Sequence, residues 1–174
     1  MNKIFSLILI LSISSCSSIA FWQSDEIDPD EPRELVDFNE RFEFTENWEK
    51  KFKGENNLNN FIPAFSGGSL IFVDQVGNVS NMDIESGEVL WETELETTIS
   101  AGIVAGFGKL FLSDDQGNLI SLDQEDGSIL WKSFAGGEVL ANVDVDAGLV
   151  IVKTASGFLN AFNIETGSEE WSYR

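Results

Sequence analysis

The chain has 174 residues, of which 30 are acidic and 10 basic, giving a formal charge of −20 with no histidine. Charge of that sign repels phosphate backbones and excludes nucleic acid as a partner, and the lack of histidine removes the commonest general base and metal ligand. One cysteine allows neither an intrachain disulfide nor a cysteine zinc cluster, while 43% hydrophobic residues, with 14 Phe and 5 Trp, supply the apolar mass of a folded body. The first element is a short positive start, Met1 to Lys3, followed by residues 4–13, apolar apart from Ser6 and Ser12. As a helix this stretch reaches roughly 15 Å, half of a bilayer core of about 30 Å. It predicts a cleaved signal peptide over residues 1–15 rather than a membrane span.

Ile13-Ser14-Ser15-Cys16 then resembles the lipobox of bacterial lipoproteins, although Ile13 and Ser15 depart from its more usual Leu and Gly or Ala. The resemblance implies that Cys16 is the lipid attachment site, acylated on sulfur and, with a chain such as palmitate, on its new amine. The rival reading is an ordinary signal with an incidental cysteine. A thiol that has no partner in an exported protein favours the lipid, and several acyl chains hold a protein on a membrane stably. Ser17 stands where Asp would resemble the inner-membrane retention signal, so the expected address is the outer membrane, facing the periplasm. Loss of residues 1–15 would remove Lys3 and no acid, making the chain one charge more negative.

Residues 16–47 read as a lipid-anchored acidic linker. Ten acids from Asp25 to Glu46 face only Arg33 and Arg41, and two of the three prolines, Pro29 and Pro32, lie among them. Like-charge repulsion and proline both favour an extended tether. An acidic docking segment is the competing reading. Phe21 and Trp22 lie close enough to the anchor to sit at the lipid interface.

The remainder is a repeat. Trp91, Trp131 and Trp171 are 40 residues apart, and Gly87, Gly127 and Gly167 keep the same step, as do Gly77, Gly117 and Gly157. Asp83 and Asp123 are matched by Asn163. A fixed period of this size marks stacked structural units. Each copy predicts four short strands: in the second, residues 99–105, 109–113, 118–123 and 128–132, separated by Asp/Asn/Gly turns. Residues 70–73 and 149–152 are the second strands of the other copies. Asp83, Asp123 and Asn163 are placed to form Asx turns, and Gly87, Gly127 and Gly167 to supply positive φ. Each Trp then wedges between neighbouring sheets. The expected class is all-β, a β-propeller of four-stranded antiparallel blades.

Asn81 to Trp91, Ser121 to Trp131 and Ala161 to Trp171 resemble the tryptophan-docking repeat of pyrroloquinoline-quinone (PQQ)-type propellers. The WD40 repeat fits less well, because Glu92, Lys132 and Ser172 follow the tryptophans and no Gly-His pair exists. Lipobox, short linker and propeller together resemble the BamB family, lipoprotein subunits of the outer-membrane β-barrel assembly machinery. That resemblance implies a non-catalytic scaffold whose partners are BamA, other subunits of the machinery and unfolded outer-membrane β-barrel clients. It also implies that Trp48 to Phe52 is a strand closing the ring and that residues 61–64 open the first blade. The expected division is a signal peptide over 1–15, a linker over 16–47 and a partial propeller over 48–174. Within the last, a closing strand lies near 48–52 and the repeats cover about 60–92, 99–132 and 139–174. Propellers need about four to eight blades and the family has eight. Three copies are therefore expected to be part of a larger ring, with closure by self-association the alternative. The family's main BamA contact follows its third repeat, so no partner-contact residue is assigned.

The repeat is also compatible with other chemistries. PQQ-dependent dehydrogenases share it but require a cofactor pocket, a Ca2+ ion, a catalytic Asp and usually a vicinal Cys pair, whereas Cys16 is single. No catalytic, cofactor or metal residue is assigned. The alternative to the scaffold is a PQQ-like lipoprotein with a sensor or ligand-binding role, or a dehydrogenase fragment. Asp144 to Gly148 looks like a calcium loop, but its twelfth position is Ala155 rather than Glu. Gly106-Phe107-Gly108 is half of a dinucleotide fingerprint, with Phe111 in place of the third Gly.

Overall fold

The computed structural model describes residues 41–51 and 61–174, together with Pro32 and Val36. The expected signal peptide, Cys16, Phe21, Trp22, most of the acidic linker and Phe52 lie outside the described residues. The chain divides into Met1–Glu43 and Phe44–Arg174, and the architecture that follows is that of the second unit.

Every regular element among the described residues is a β-strand. The first sheet holds β1 (Ala64–Ser66), β2 (Ser69–Val73), β3 (Asn78–Asp83) and β4 (Val89–Glu94). The second holds β5 (Ile99–Gly106), β6 (Lys109–Asp114), β7 (Asn118–Asp123) and β8 (Ile129–Phe134). The third holds β9 (Asp144–Asp146), β10 (Leu149–Lys153), β11 (Leu159–Asn163) and β12 (Glu169–Tyr173). Each sheet is an antiparallel meander in chain order. These are three propeller blades, as the 40-residue period predicts.

The register repeats with the sequence. Ser69 pairs with Asp83, Lys109 with Asp123 and Leu149 with Asn163. Each blade also carries a bulge between its third and fourth strands, after Asn81, Ser121 and Ala161. The first strands vary most: β1 and β9 are three residues long where β5 has eight, and ahead of β9 Val139 makes an isolated bridge to Thr154. Gly136 and Gly137, both at positive φ, precede this segment and break the extended run.

The blades stack face to face, with β5 packed against β1 and β2 on one side and β9 on the other. Alternate side chains of β6 and β7 serve two different cores. Leu110, Leu112, Ile120 and Leu122 join Ile71, Val73, Val79 and Ile99 in the seam between the first and second blades. Phe111 and Leu119 join Val139, Val150, Val152 and Phe162 in the seam between the second and third. The central strands of the second blade are thus buried on both faces, with consecutive apolar residues at 110–112 and 119–120 rather than strict alternation.

Candidate functional site

The seams are built by one device used repeatedly. Asp83, Asp123 and Asn163 end the third strand of each blade and accept backbone N–H bonds from residues two or three further on. Ser86 N–H donates to Asp83 Oδ1 at 2.8 Å, Glu125 N–H to Asp123 Oδ1 at 2.7 Å and Glu165 N–H to Asn163 Oδ1 at 3.0 Å. Bonds from the Ser86 N–H and hydroxyl hold the Asp83 carboxyl below its ordinary pKa. Gly87, Gly127 and Gly167 close these turns at φ of +70°, +73° and +68°.

The turns of the second and third blades receive the tryptophan of the preceding blade. Trp91 Nε1–H donates to Gln124 O at 3.1 Å and Trp131 Nε1–H to Ile164 O at 3.1 Å. The indole lies against the glycine: a Cβ on Gly127 would stand 2.6 Å from the Trp91 ring, and one on Gly167 2.6 Å from the Trp131 ring. Two residues after each tryptophan a hydroxyl fixes the same turn. Thr93 donates to Gly127 O at 3.0 Å and Ser133 to Gly167 O at 2.6 Å. Trp171 has no such acceptor among the described residues and stands 41% exposed.

Sequence reasoning missed the fourth member of this set. Trp48 donates to Ile84 O at 3.0 Å, and a Cβ on Gly87 would stand 2.6 Å from its ring. Lys50 beside it pairs with Glu92 at 3.2 Å. Trp48 lies 43 residues before Trp91 rather than 40, so the exact period passes over it. Residues 48–51 belong to no described strand.

A second recurrent feature was also missed, Asp74, Asp114 and Thr154, which hold the turn between the second and third strands of each blade. Asp114 is fully buried. It accepts from Asn118 N–H at 2.8 Å, from Asn118 Nδ2 at 2.8 Å and from the Lys132 ammonium at 2.8 Å. Burial alone would raise its pKa, but the bonds from Lys132 and Asn118 and the ammonium charge outweigh this and hold the carboxyl below its ordinary value. Ser100, also buried, lies within hydrogen-bond distance of Asp114 O at 2.8 Å and of Val139 O at 2.7 Å, which ties the second blade to the start of the third.

Among the described residues no three His, Cys, Asp or Glu side chains are grouped to hold a metal. Asp144 and Asp146 are the exposed ends of β9, and Gly106 to Gly108 form the β5–β6 turn. Two open grooves, of about 520 and 420 Å³, lie against the first blade. What the unit offers instead is surface. Val89 and Leu90 on β4, Ile129, Leu130 and Phe134 on β8, and Trp171 and Tyr173 on β12 are all exposed.

Comparison with known proteins gives these blades relatives. The family described as outer membrane protein assembly factor BamB matches residues 75–174. Outer membrane protein assembly factor BamB of Kangiella koreensis is 30% identical over 109 residues, which are 62% of this chain and 26% of the relative. That of Pseudomonas aeruginosa is 33% identical over 104 residues, 59% of this chain and 26% of the relative. The chain therefore spans about a quarter of the length of these curated relatives. The crystal structure of BamB from Moraxella catarrhalis superposes with a TM-score of 0.60 at 25% identity, covering 65% of this chain and 35% of that one. A quinohemoprotein alcohol dehydrogenase from Pseudomonas putida superposes with a TM-score of 0.58 at 18% identity, covering 64% of this chain and 20% of the enzyme. At that identity the likeness is one of fold.

Proposed function

Because the chain belongs to the outer membrane protein assembly factor BamB family, we propose that it acts as a non-catalytic lipoprotein scaffold of the β-barrel assembly machinery. In this reading residues 1–15 are a signal peptide, Cys16 carries the lipid, and residues 16–47 tether the blades to the periplasmic face of the outer membrane. Residues 48–174 form part of a propeller, with Trp48 to Phe52 contributing to its closure. BamA and the other subunits of the machinery are the partners, and unfolded β-barrel chains the clients.

The observation that carries this is the pair of identically docked seams. An indole laid on a glycine turn, a hydroxyl fixing that turn and a shared apolar core make each blade a rigid extension of its neighbour. A rigid stack on a lipid tether is suited to presenting loops and strand edges at fixed spacing near the membrane. Affinity purification of the full-length protein from detergent-solubilised outer membrane should recover BamA, and recovery of no assembly subunit would count against the scaffold. Cys16→Ser should move the protein to the soluble fraction or leave it unprocessed. Unchanged membrane fractionation would remove the lipid from the proposal.

A further inference from the structure

Among the described residues β4, β8 and β12 are edge strands, each paired on one side only. An open edge presents a row of free N–H and C=O groups that templates another strand, and natural sheets defend such edges with charge. β4 is defended by exposed Glu92 and Glu94, and β12 begins with exposed Glu169 and Glu170. β8 is not defended. Its six residues include one charge, Lys132. That ammonium bonds the buried Asp114 carboxylate at 2.8 Å while its side chain stays 46% exposed. Ile129, Leu130 and Phe134 are left 57%, 43% and 63% exposed along the edge. One repeat earlier Glu92 is likewise paired, with Lys50 at 3.2 Å, and the difference between the two edges is that Phe134 stands where β4 has exposed Glu94.

Resting on the scaffold reading, we propose that β8 is the strand of this chain that takes up a client, an extended segment of an unfolded β-barrel polypeptide. The chemistry of the edge selects that occupant. Unpaired backbone groups accept only another extended backbone, and six residues offer about 20 Å of ladder. Exposed apolar side chains along the edge favour a segment that alternates apolar and polar residues, since cross-strand pairs reward apolar neighbours. The whole chain carries −20, and residues 48–174 are themselves strongly acidic with 20 acids against 7 bases, so they repel acidic segments and a neutral or basic one is preferred. The same charge disfavours a second copy of the chain as the occupant.

The test uses the full chain in detergent and a fluorescein-labelled synthetic peptide of about ten alternating valines and threonines with a lysine at each end, read by fluorescence polarisation. Saturable binding is expected. Leu130→Lys with Phe134→Lys should weaken it by about tenfold or more, while Leu90→Lys in β4 leaves it unchanged. The same peptide N-methylated at alternate amides should not bind, and this arm is independent of any folding defect in the variants. Equal binding of the N-methylated peptide would overturn the proposal. So would loss in the β4 variant instead of the β8 variant, no binding at all, or β8-dependent dimers that exclude the peptide. Recovery of BamA reports on the scaffold reading separately. Peptide binding at β8 without BamA recovery would retire that reading and leave the edge site standing, and the reverse outcome would retire the edge site alone.

Discussion

Gly127→Ala isolates the docking device from ordinary turn chemistry. Two costs meet at this position. The backbone sits at φ +73°, where an alanine loses about 1 kcal/mol relative to glycine. The added Cβ would also stand 2.5 Å from Thr93 Oγ1 and 2.6 Å from the Trp91 ring. An indole held by a hydrogen bond to Gln124 O cannot retreat without breaking it, and overpacking of this kind costs about 1–3 kcal/mol. The expected loss is therefore about 2–4 kcal/mol. Gly108 provides the control, since it has φ of +72° and a Cβ added there would meet nothing within 4 Å, so Gly108→Ala should cost only about 1 kcal/mol. Urea unfolding of both variants, followed by circular dichroism with the slope checked for constancy, measures the difference directly. Equal losses at the two glycines would refute the claim that the indole needs this glycine for space.

Trp131→Ala should destabilise by about 3–5 kcal/mol, and Trp171→Ala, which removes a half-exposed indole with no described acceptor, by about 0.5 kcal/mol, both read from the urea midpoint. Ser100→Ala should cost about 1–3 kcal/mol, because the Asp114 and Val139 carbonyls lose their buried hydroxyl. The Asp114 carboxyl has a lowered folded pKa, so its contribution is complete above the unfolded value of about 3.9 and is lost as pH falls through the folded one. Asp114→Asn should accordingly be less stable at neutral pH and show a shallower loss below about pH 4, seen in urea midpoints across an acid series. A double-mutant cycle on Trp131 and Gly167 should give a coupling of about 0.5–3 kcal/mol, and one on Trp131 and Gly87 should give none.

The blades were legible because strand, turn and period are local signals. Strands of five or six residues with short apolar runs between Asp/Asn/Gly turns leave little choice but a meander, and their recurrence every 40 residues requires the meanders to be equivalent. The contacts between blades were not local. Nothing in residues 81–91 states that Trp91 will lie on Gly127, 36 positions ahead, because that juxtaposition exists only once two sheets are stacked. Trp48 was hidden for a related reason: three extra residues before Trp91 destroy the period, while docking depends on the acceptor turn at Ile84 to Gly87 and not on spacing. Asp114 escaped notice because an acid ending a strand is ordinary in sequence. Only burial and the approach of Lys132 from within the same blade show that it is an internal ion pair.

The direction of docking carries a further consequence. Every described tryptophan in a seam is donated forward, from Trp48 to the first blade, from Trp91 to the second and from Trp131 to the third. The first and second blades are thus acceptors through their glycine turns and donors through their outer strands. Because donor and acceptor lie on opposite faces, two blades can join in one order and one orientation only. The outer strand is held by this contact through alternate residues, Trp131 and Ser133 in β8. The intervening residues are free to vary: Leu130, Lys132 and Phe134 of the second blade correspond to Leu90, Glu92 and Glu94 in the first and to Glu170, Ser172 and Arg174 in the third. The half of each outer strand that builds the stack is therefore constrained, and the half that faces outward is where one blade can acquire a surface its neighbours lack.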